Sequence, residues 1–363
     1  MAPRGSYSIR FVGLVLASWV FIVANSVGAS MMGFEMPRSP VFLLVETSFE
    51  SAFVLLFLAK LQGEHVLLPL REKKMRGHIW LLTALAVLNG LFFQFSDPWV
   101  SGVAAQILTN ASIPAVGLSS MWVLGERFSA RELFGAGIVL GGILLGMLPQ
   151  MQASSEAMES NPWWAILLFS SACGLLGLSM TLQDSANRSG LAPATTIFWY
   201  NLFSVPAYLF AIPLEIFPYI DGELSAQSLE EVCWDQVRSL RCVVGRPFLQ
   251  DVPSFCTNFA WFWPQVWMIG YSGMFYLNAV LMLHFNAFWV AIVNTAGAPL
   301  SAMAFTSSSI VGARNVQEVQ WPCTIASFVL ILLGMVVKGV PANPAGDEGL
   351  RASLADAYQE ATA

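Results

Sequence analysis

The chain has 363 residues, 56% of them hydrophobic and 11% charged, with a formal net charge of −6. Soluble domains carry about 25% charged residues, so these charges are too few to cover a water-soluble surface. No Lys/Arg-rich arm points to nucleic acid, and three histidines and five cysteines without CxxC or HxxxH spacing argue against a structural metal site. Apolar runs of about 20 residues, enough for a helix to cross a bilayer, fall at roughly 11–31, 41–60, 79–96, 100–123, 131–149, 162–183, 193–213, 264–283, 287–308 and 321–339. Each is read as a helix, because a strand or loop in hydrocarbon leaves backbone polar groups unpaired. Tryptophans such as Trp80, Trp99, Trp163, Trp164, Trp263 and Trp321 sit at the ends of these runs, as rings that prefer the membrane–water interface do.

Span one follows Arg4 and Arg10 and carries Asn25 and Ser26. Val27-Gly28-Ala29 has the small-residue pattern of a signal-peptidase site, but the run is read as an uncleaved span because the repeat described below needs it. Span two holds Glu46 and Glu50, the carboxylates placed well inside an expected span. At i, i+4 they share one helix face. Burial penalises a charged carboxylate, and a second one nearby adds to the penalty. Glu46 therefore suits a group that gains and loses a proton during transport; its alternative is a hydrated position among the headgroups. Span four carries Asn110, Ser112 and Pro114, span seven Asn201, span eight Asn278, and span nine Asn294, Thr295 and Pro299. Polar groups at these depths are costly unless they face water or a partner. They are read together as substrate-binding, against the alternative that each bonds across packed helices.

Ten spans put both termini on one side, with twelve of the seventeen Lys and Arg residues; Arg38, Arg238, Arg241, Arg246 and Arg314 fall on the other. The excess of positive charge places the termini in the cytosol. Loop 214–263 is then lumenal or external. Leu229, Val232, Cys233, Gln236, Val237 and Leu240 recur there at helical spacing, which predicts a short amphipathic helix on the membrane surface or over the mouth of the protein. Cys233, Cys242 and Cys256 lie in the same loop, where an oxidising compartment permits a disulfide; three free thiols are the alternative. The stretch after Pro344 is polar and expected to be disordered.

Two stretches share a pattern: Gln106 through Pro114 to Gly146-Met147, and Ile292 through Pro299 to Gly334-Met335. Each has a polar patch, a proline, a span, a short break and another span. Each would supply spans four and five of a five-span half. Five is odd, so the second half enters the membrane inverted, and substrate sites of such carriers lie between the halves near the midplane. The expected fold is an all-α membrane protein of about ten transmembrane helices as two inverted five-helix repeats. The first repeat covers 1–149; the second covers 162–339 with the lumenal loop 214–263; 340–363 is a cytosolic tail.

Ser112-Ile113-Pro114, Gly125-Glu126-Arg127 and Leu133-Phe134-Gly135-Ala136 resemble the drug/metabolite transporter superfamily. Val45-Glu46-Thr47, Met180-Thr181, Phe285 before Pro299, and Cys242-Val243-Val244-Gly245-Arg246 with Cys256 extend the likeness to the chloroquine-resistance-transporter-like family. That resemblance implies a Cys242–Cys256 disulfide and a selectivity role for Ser26. It also implies alternating access, proton coupling and a vacuolar or other organelle membrane. The partners it implies are the bilayer, protons and small organic solutes: amino acids, peptides, thiols or basic drugs. Two cysteines of the family's second loop disulfide are missing, Cys233 has no counterpart, and Glu50 stands where the family is not acidic.

The expected function is secondary active transport of such solutes. The alternative is a nucleotide-sugar or phosphorylated-metabolite carrier, which needs cavity Lys or Arg to neutralise phosphate; none lies deep in a span. A membrane-embedded enzyme would need a nucleophile with a base or a metal cluster, which the spans do not offer. No cofactor is expected.

Overall fold

The computed structural model describes residues 4–35, 39–96, 100, 108–109, 112–153, 163–216, 228–244, 261–304 and 321–338. Thirteen α-helices are described among them: α1 (Arg4–Glu35), α2 (Pro40–Leu61), α3 (Leu68–Arg71), α4 (Lys73–Ser96), α5 (Ser112–Val123), α6 (Ala130–Ala153), α7 (Trp163–Arg188), α8 (Pro193–Ala211), α9 (Leu229–Val244), α10 (Phe262–His284), α11 (Ala287–Thr295), α12 (Gly297–Ala304) and α13 (Trp321–Lys338). A 3₁₀ turn, Ile212–Ile216, prolongs α8. Among the described residues, six helices are long and apolar enough to cross a membrane: α1, α2, α4, α7, α8 with its 3₁₀ extension, and α10. Three shorter apolar stretches, Ser112–Val123, Ala287–Ser301 and Trp321–Val337, complete that set.

The outer surface is apolar. Trp122 is 93% exposed, Phe210 86% and Phe57 67%, which water would penalise and lipid tails would not. Ser51, Ser120, Thr181 and Asp184 are buried inside instead. The chain is a helical membrane protein.

The pairings follow a consistent pattern. α6 packs on α13, α2 on α8, α1 on α10, α4 on α7, α5 on α7, α1 on α12, α4 on α8, and α2 on α10. α1 and α10 run antiparallel and nearly touch: a Cβ built on Gly28 would meet the Trp267 nitrogen at 2.6 Å, and one on Gly270 the Asn25 nitrogen at 2.3 Å. Glycine is required at both positions because only bare backbone fits, as is common between membrane helices. α6 and α13 are also antiparallel, with Gly142 against Ser327 and Gly334 against Gly135. α2 and α8 are antiparallel too: the start of α2 meets the end of the α8 segment, where the Val41 N–H donates to Glu215 Oε1 at 2.7 Å.

Several helix ends carry legible signals. Pro stands in the first turn of α2 and of α8, where its missing N–H costs nothing. Ser129 and Glu132 cap α6 reciprocally, as Ser228 and Glu231 cap α9. The expected ninth span is broken into α11 and α12 at Ala296. Pro299 explains the break: it has no N–H for the turn before it, and its ring crowds that turn's carbonyl. The expected turn at 184–192 begins later, since α7 continues to Arg188.

Helix α9 forms where the periodicity places it. Val232, Asp235, Ser239 and Cys242 are buried, and Leu229, Trp234, Val237, Leu240 and Val244 are exposed. It packs on the 3₁₀ turn, and its Gln236 donates to Glu215. A cavity of about 230 Å³ lies beneath it, lined by Phe42, Val45, Leu209, Ile212, Gln236, Val237 and Leu240.

Candidate functional site

Buried polar atoms are normally hydrogen-bonded, and leaving one unpaired costs roughly 1–3 kcal/mol. Against that rule, the side-chain carbonyls of Asn25, Asn278 and Asn294 are buried without a hydrogen-bond partner, as are both carboxylate oxygens of Glu46 and the hydroxyls of Ser18, Thr47 and Ser301. They come from α1, α2, α10, α11 and α12. Helix α10 packs against α1, α2 and α11, and α1 packs against α11 and α12. Ser39 before α2, Tyr200 of α8 and Gln236 of α9 also carry buried unpaired atoms; the groups of α1, α2, α10, α11 and α12 are carried by a connected set of helices.

The candidate binding residues divide into two kinds. Asn25, Asn278 and Asn294 keep an open acceptor. Asn201 donates to the Ile197 carbonyl of its own helix at 3.0 Å, and Thr295 to the Ile292 carbonyl at 2.7 Å. Ser26 is half-buried. Ser112 is buried at the start of α5, and its backbone oxygen would sit 3.1 Å from a Cβ on Gly177 of α7, so it belongs to a tight helix contact. Asn110 lies outside the described residues.

The two glutamates of α2 differ. Glu50 accepts from Gln265 of α10 at 3.2 and 3.3 Å. Glu46 has no such donor. Other links between α2 and α10 are complete: Ser272 donates to Ser51 at 2.7 Å, and Gln62 to the Tyr276 hydroxyl at 2.6 Å. The break in the ninth span is also served, since the Trp19 indole donates to the Val293 carbonyl at 2.9 Å.

Sequence reasoning passed over a second polar cluster. Asp184 and Arg188, one turn apart at the end of α7, form a two-point ion pair at 2.8 and 3.0 Å. Asp184 also accepts from the Ala287 N–H at the start of α11, 3.0 Å away. Arg188 reaches on to Glu126 in the α5–α6 loop. Asn286 caps α11 through the Trp289 N–H at 2.9 Å and donates to Glu126 at 3.1 Å. Burial pushes the Glu126 carboxyl above its ordinary range, while Arg188 and Asn286 pull it back. Its signal in the sequence was the i, i+4 spacing of Asp184 and Arg188, hidden by ending the helix too early. Glu215 was missed for the same reason: it lies just past the expected end of span seven and is buried.

In the 214–263 loop, Cys233 is exposed and free, and Cys173 and Cys323 are also free. Cys242 is fully buried beside Met32, Leu43 and Trp267, and Cys256 lies outside the described residues. Among the described residues no group of three or more His, Cys, Asp or Glu side chains suits a metal.

A bundle of membrane helices with an apolar exterior and unsatisfied polar groups inside defines the architectural class: a polytopic membrane protein with a polar interior. The chain belongs to the CRT-like, chloroquine-resistance transporter-like family, whose model matches residues 9–338. It is 23% identical over 279 residues to Crt homolog 1 of Dictyostelium discoideum, covering 70% of this chain and 57% of that one. It is 24% identical over 258 residues to the chloroquine resistance transporter of Toxoplasma gondii, covering 65% and 27%. A 76-residue stretch is 32% identical to Crt homolog 3 of Dictyostelium discoideum, covering 21% of this chain and 16% of that one. The chain therefore spans little more than half the length of the first of these relatives and less of the others. A solved crystal structure shares the fold with a TM-score of 0.61 at 13% identity, covering 90% of this chain and 96% of that one.

Proposed function

We propose that the protein is a secondary carrier of small organic solutes, working by alternating access between two inverted five-helix halves. The observation that carries this reading is the set of buried acceptors without donors: Asn25, Glu46, Asn278 and Asn294. A protein that only packed its helices would pair them or replace them, because each costs stability. A solute bearing N–H or O–H groups pairs them when it binds.

The helix pairings support the inverted repeat. Count the helices as spans one (α1), two (α2), three (α4), four (α5), five (α6), six (α7), seven (α8), eight (α10), nine (α11 with α12) and ten (α13). Exchanging each span for its counterpart five places along turns the one–eight pairing into six–three, two–eight into seven–three, and four–six into nine–one. All of these are present. Spans two and seven pack on each other, as do five and ten. Both pairs run antiparallel, as counterparts in an inverted repeat must.

Solutes of the amino acid, peptide, thiol or basic-drug type fit this interior better than phosphorylated ones. No Lys or Arg lies deep in an expected span to neutralise a phosphate, and Arg188, at the end of span six, faces two carboxylates. Glu46 is assigned the coupling proton. The membrane is assigned to a vacuole or similar organelle with cytosolic termini, and the loop disulfide to Cys242 and Cys256. For that last assignment, alkylation before reduction followed by mass spectrometry is expected to label Cys233 and leave Cys242 unlabelled. Labelling of Cys242 in the folded protein removes the pairing.

Asn294→Ala and Asn201→Ala separate binding from packing. Asn294→Ala deletes an unpaired acceptor, so thermal stability in detergent should hold or rise by about 1 kcal/mol, while solute uptake falls at least tenfold. Asn201→Ala, which deletes only a bond to its own helix, should leave uptake within about twofold. Normal uptake by Asn294→Ala would return that residue to a packing role.

A further inference from the structure

We propose that Glu126 is the catch of a latch that holds one end of the protein shut and must release in every transport cycle. This inference rests on the alternating-access reading above.

The cluster joins three elements. Glu126 belongs to the loop between spans four and five, in the first half. Asp184 and Arg188 end span six, and Asn286 with Ala287 opens span nine, both in the second half. Two of the three links between elements run through Glu126: Arg188 donates to one of its oxygens and Asn286 donates to the other at 3.1 Å. The third, from the Ala287 N–H to Asp184 at 3.0 Å, stays within the second half. Within this cluster Glu126 ties the first half to the second; at the same end the halves are also joined by Glu64, which accepts from the Thr195 N–H and hydroxyl at 2.7 Å, and by Arg131, which donates to the Val337 carbonyl at 2.6 Å.

Release leaves no buried group stranded. When Glu126 departs, Asp184 keeps Arg188 and the Ala287 N–H. Asn286 keeps the Trp289 N–H. The Arg188 side chain is 47% exposed, against 1% for Asp184, so water can take over the guanidinium face that Glu126 gives up. Glu126 itself leaves with an exposed loop, between Gly125 and Arg127. Gly125 has a φ of +68°, a backbone state that suits glycine and sets the turn. Breaking a buried ion pair is expensive when it strands a charge; here the most buried charge, Asp184, stays paired, and the Glu126 side chain, 15% exposed in the closed joint, moves into water with its loop. Within the cluster, both links that must open converge on this one residue.

The two ends also differ. Beneath the latch, Ser119 of α5 and Thr181 of α7 bond to each other at 2.6 Å. Toward the other end, Asn25 and Glu46 have no hydrogen-bond partner. This is the asymmetry of a carrier closed at one end and prepared to receive solute from the other.

The test is two-sided cysteine accessibility in proteoliposomes of known orientation. Ser119→Cys reports on the latch end and Asn25→Cys on the opposite end; both are made after replacing the free Cys173, Cys233 and Cys323 by Ser. A membrane-impermeant thiol reagent is applied from each side. Adding Glu126→Gln is expected to raise labelling at position 119 about tenfold from the latch side and to lower labelling at 25 from the other. Glu126→Asp, which keeps the charge, is expected to fall between wild type and Gln and serves if the Gln variant does not fold. Unchanged labelling at 119 in a folded Glu126→Gln or Glu126→Asp variant overturns the latch, as does an equal rise at both positions, which marks general loosening. Solute uptake by the Glu126 protein is measured in parallel. Uptake with unmoved accessibility rejects only the latch, whereas absent uptake with moved accessibility rejects only the transport reading.

Discussion

Glu46→Gln is expected to abolish the response of uptake to a proton gradient. A gradient of one pH unit stores about 1.4 kcal/mol per proton, enough for about tenfold accumulation of a solute moved with one proton. The Glu46 protein should reach that accumulation in proteoliposomes. The Gln variant keeps the shape and loses the titrating group, so it should only equilibrate solute across the membrane. Glu50→Gln should have the smaller effect, because Glu50 is already engaged by Gln265 whereas Glu46 is buried without a donor. Equal accumulation by the Glu46 protein and Glu46→Gln removes the proton assignment.

The largest loss of stability is expected from Gly270→Val. Even a single Cβ there meets Asn25 backbone nitrogen at 2.3 Å and the Ala24 carbonyl carbon at 2.7 Å. Overfilling a packed core costs about 1–3 kcal/mol when side chains can adjust. Here the obstacle is the backbone of α1, so the cost should exceed about 3 kcal/mol. The α1–α10 contact also carries Asn25, and separating the helices would disperse the polar interior. The variant should lose its monodisperse peak and its cooperative thermal transition in detergent. Gly141→Ala is the contrasting case: nothing lies within 4 Å of the added Cβ. There a helix interior exchanges glycine for a better helix former, worth up to about 1 kcal/mol. A folded Gly270→Val protein with wild-type stability would contradict the packing of span one on span eight.

These two variants also mark the boundary of what the sequence discloses. Helix positions are legible because burial in lipid forces apolar runs of fixed length, and α2, Pro40–Leu61, falls close to the expected 41–60. The expected ninth span, 287–308, is one run, and its break at Ala296, three residues before Pro299, is seen only in the structure. Which glycines are contact points is not legible. Gly270 and Gly141 look alike in sequence, and only the pairing of two helices over 240 positions apart distinguishes them. The same holds for the asparagines. Asn201 and Asn294 are both intramembrane amides, and the difference between a self-bonded amide and an open acceptor depends on what surrounds each helix. Helix α9 shows a third limit. Its period is evident, but its buried face includes Asp235 and Ser239 while Leu229, Val237 and Leu240 stay exposed. The period alone leaves open whether the apolar stripe meets the membrane surface or the mouth of the protein, and next to a bilayer lipid is a partner for it.

The central claim is that the unpaired acceptors of the interior receive a transported organic solute. Uptake by purified protein in proteoliposomes tests it most directly, using labelled amino acids, peptides, glutathione and basic drugs, each with and without an inward proton gradient. The account predicts saturable uptake of at least one of these classes, faster with the gradient, and at least tenfold weaker in Asn294→Ala. Folded protein that moves every solute in the panel no faster than empty liposomes would contradict it.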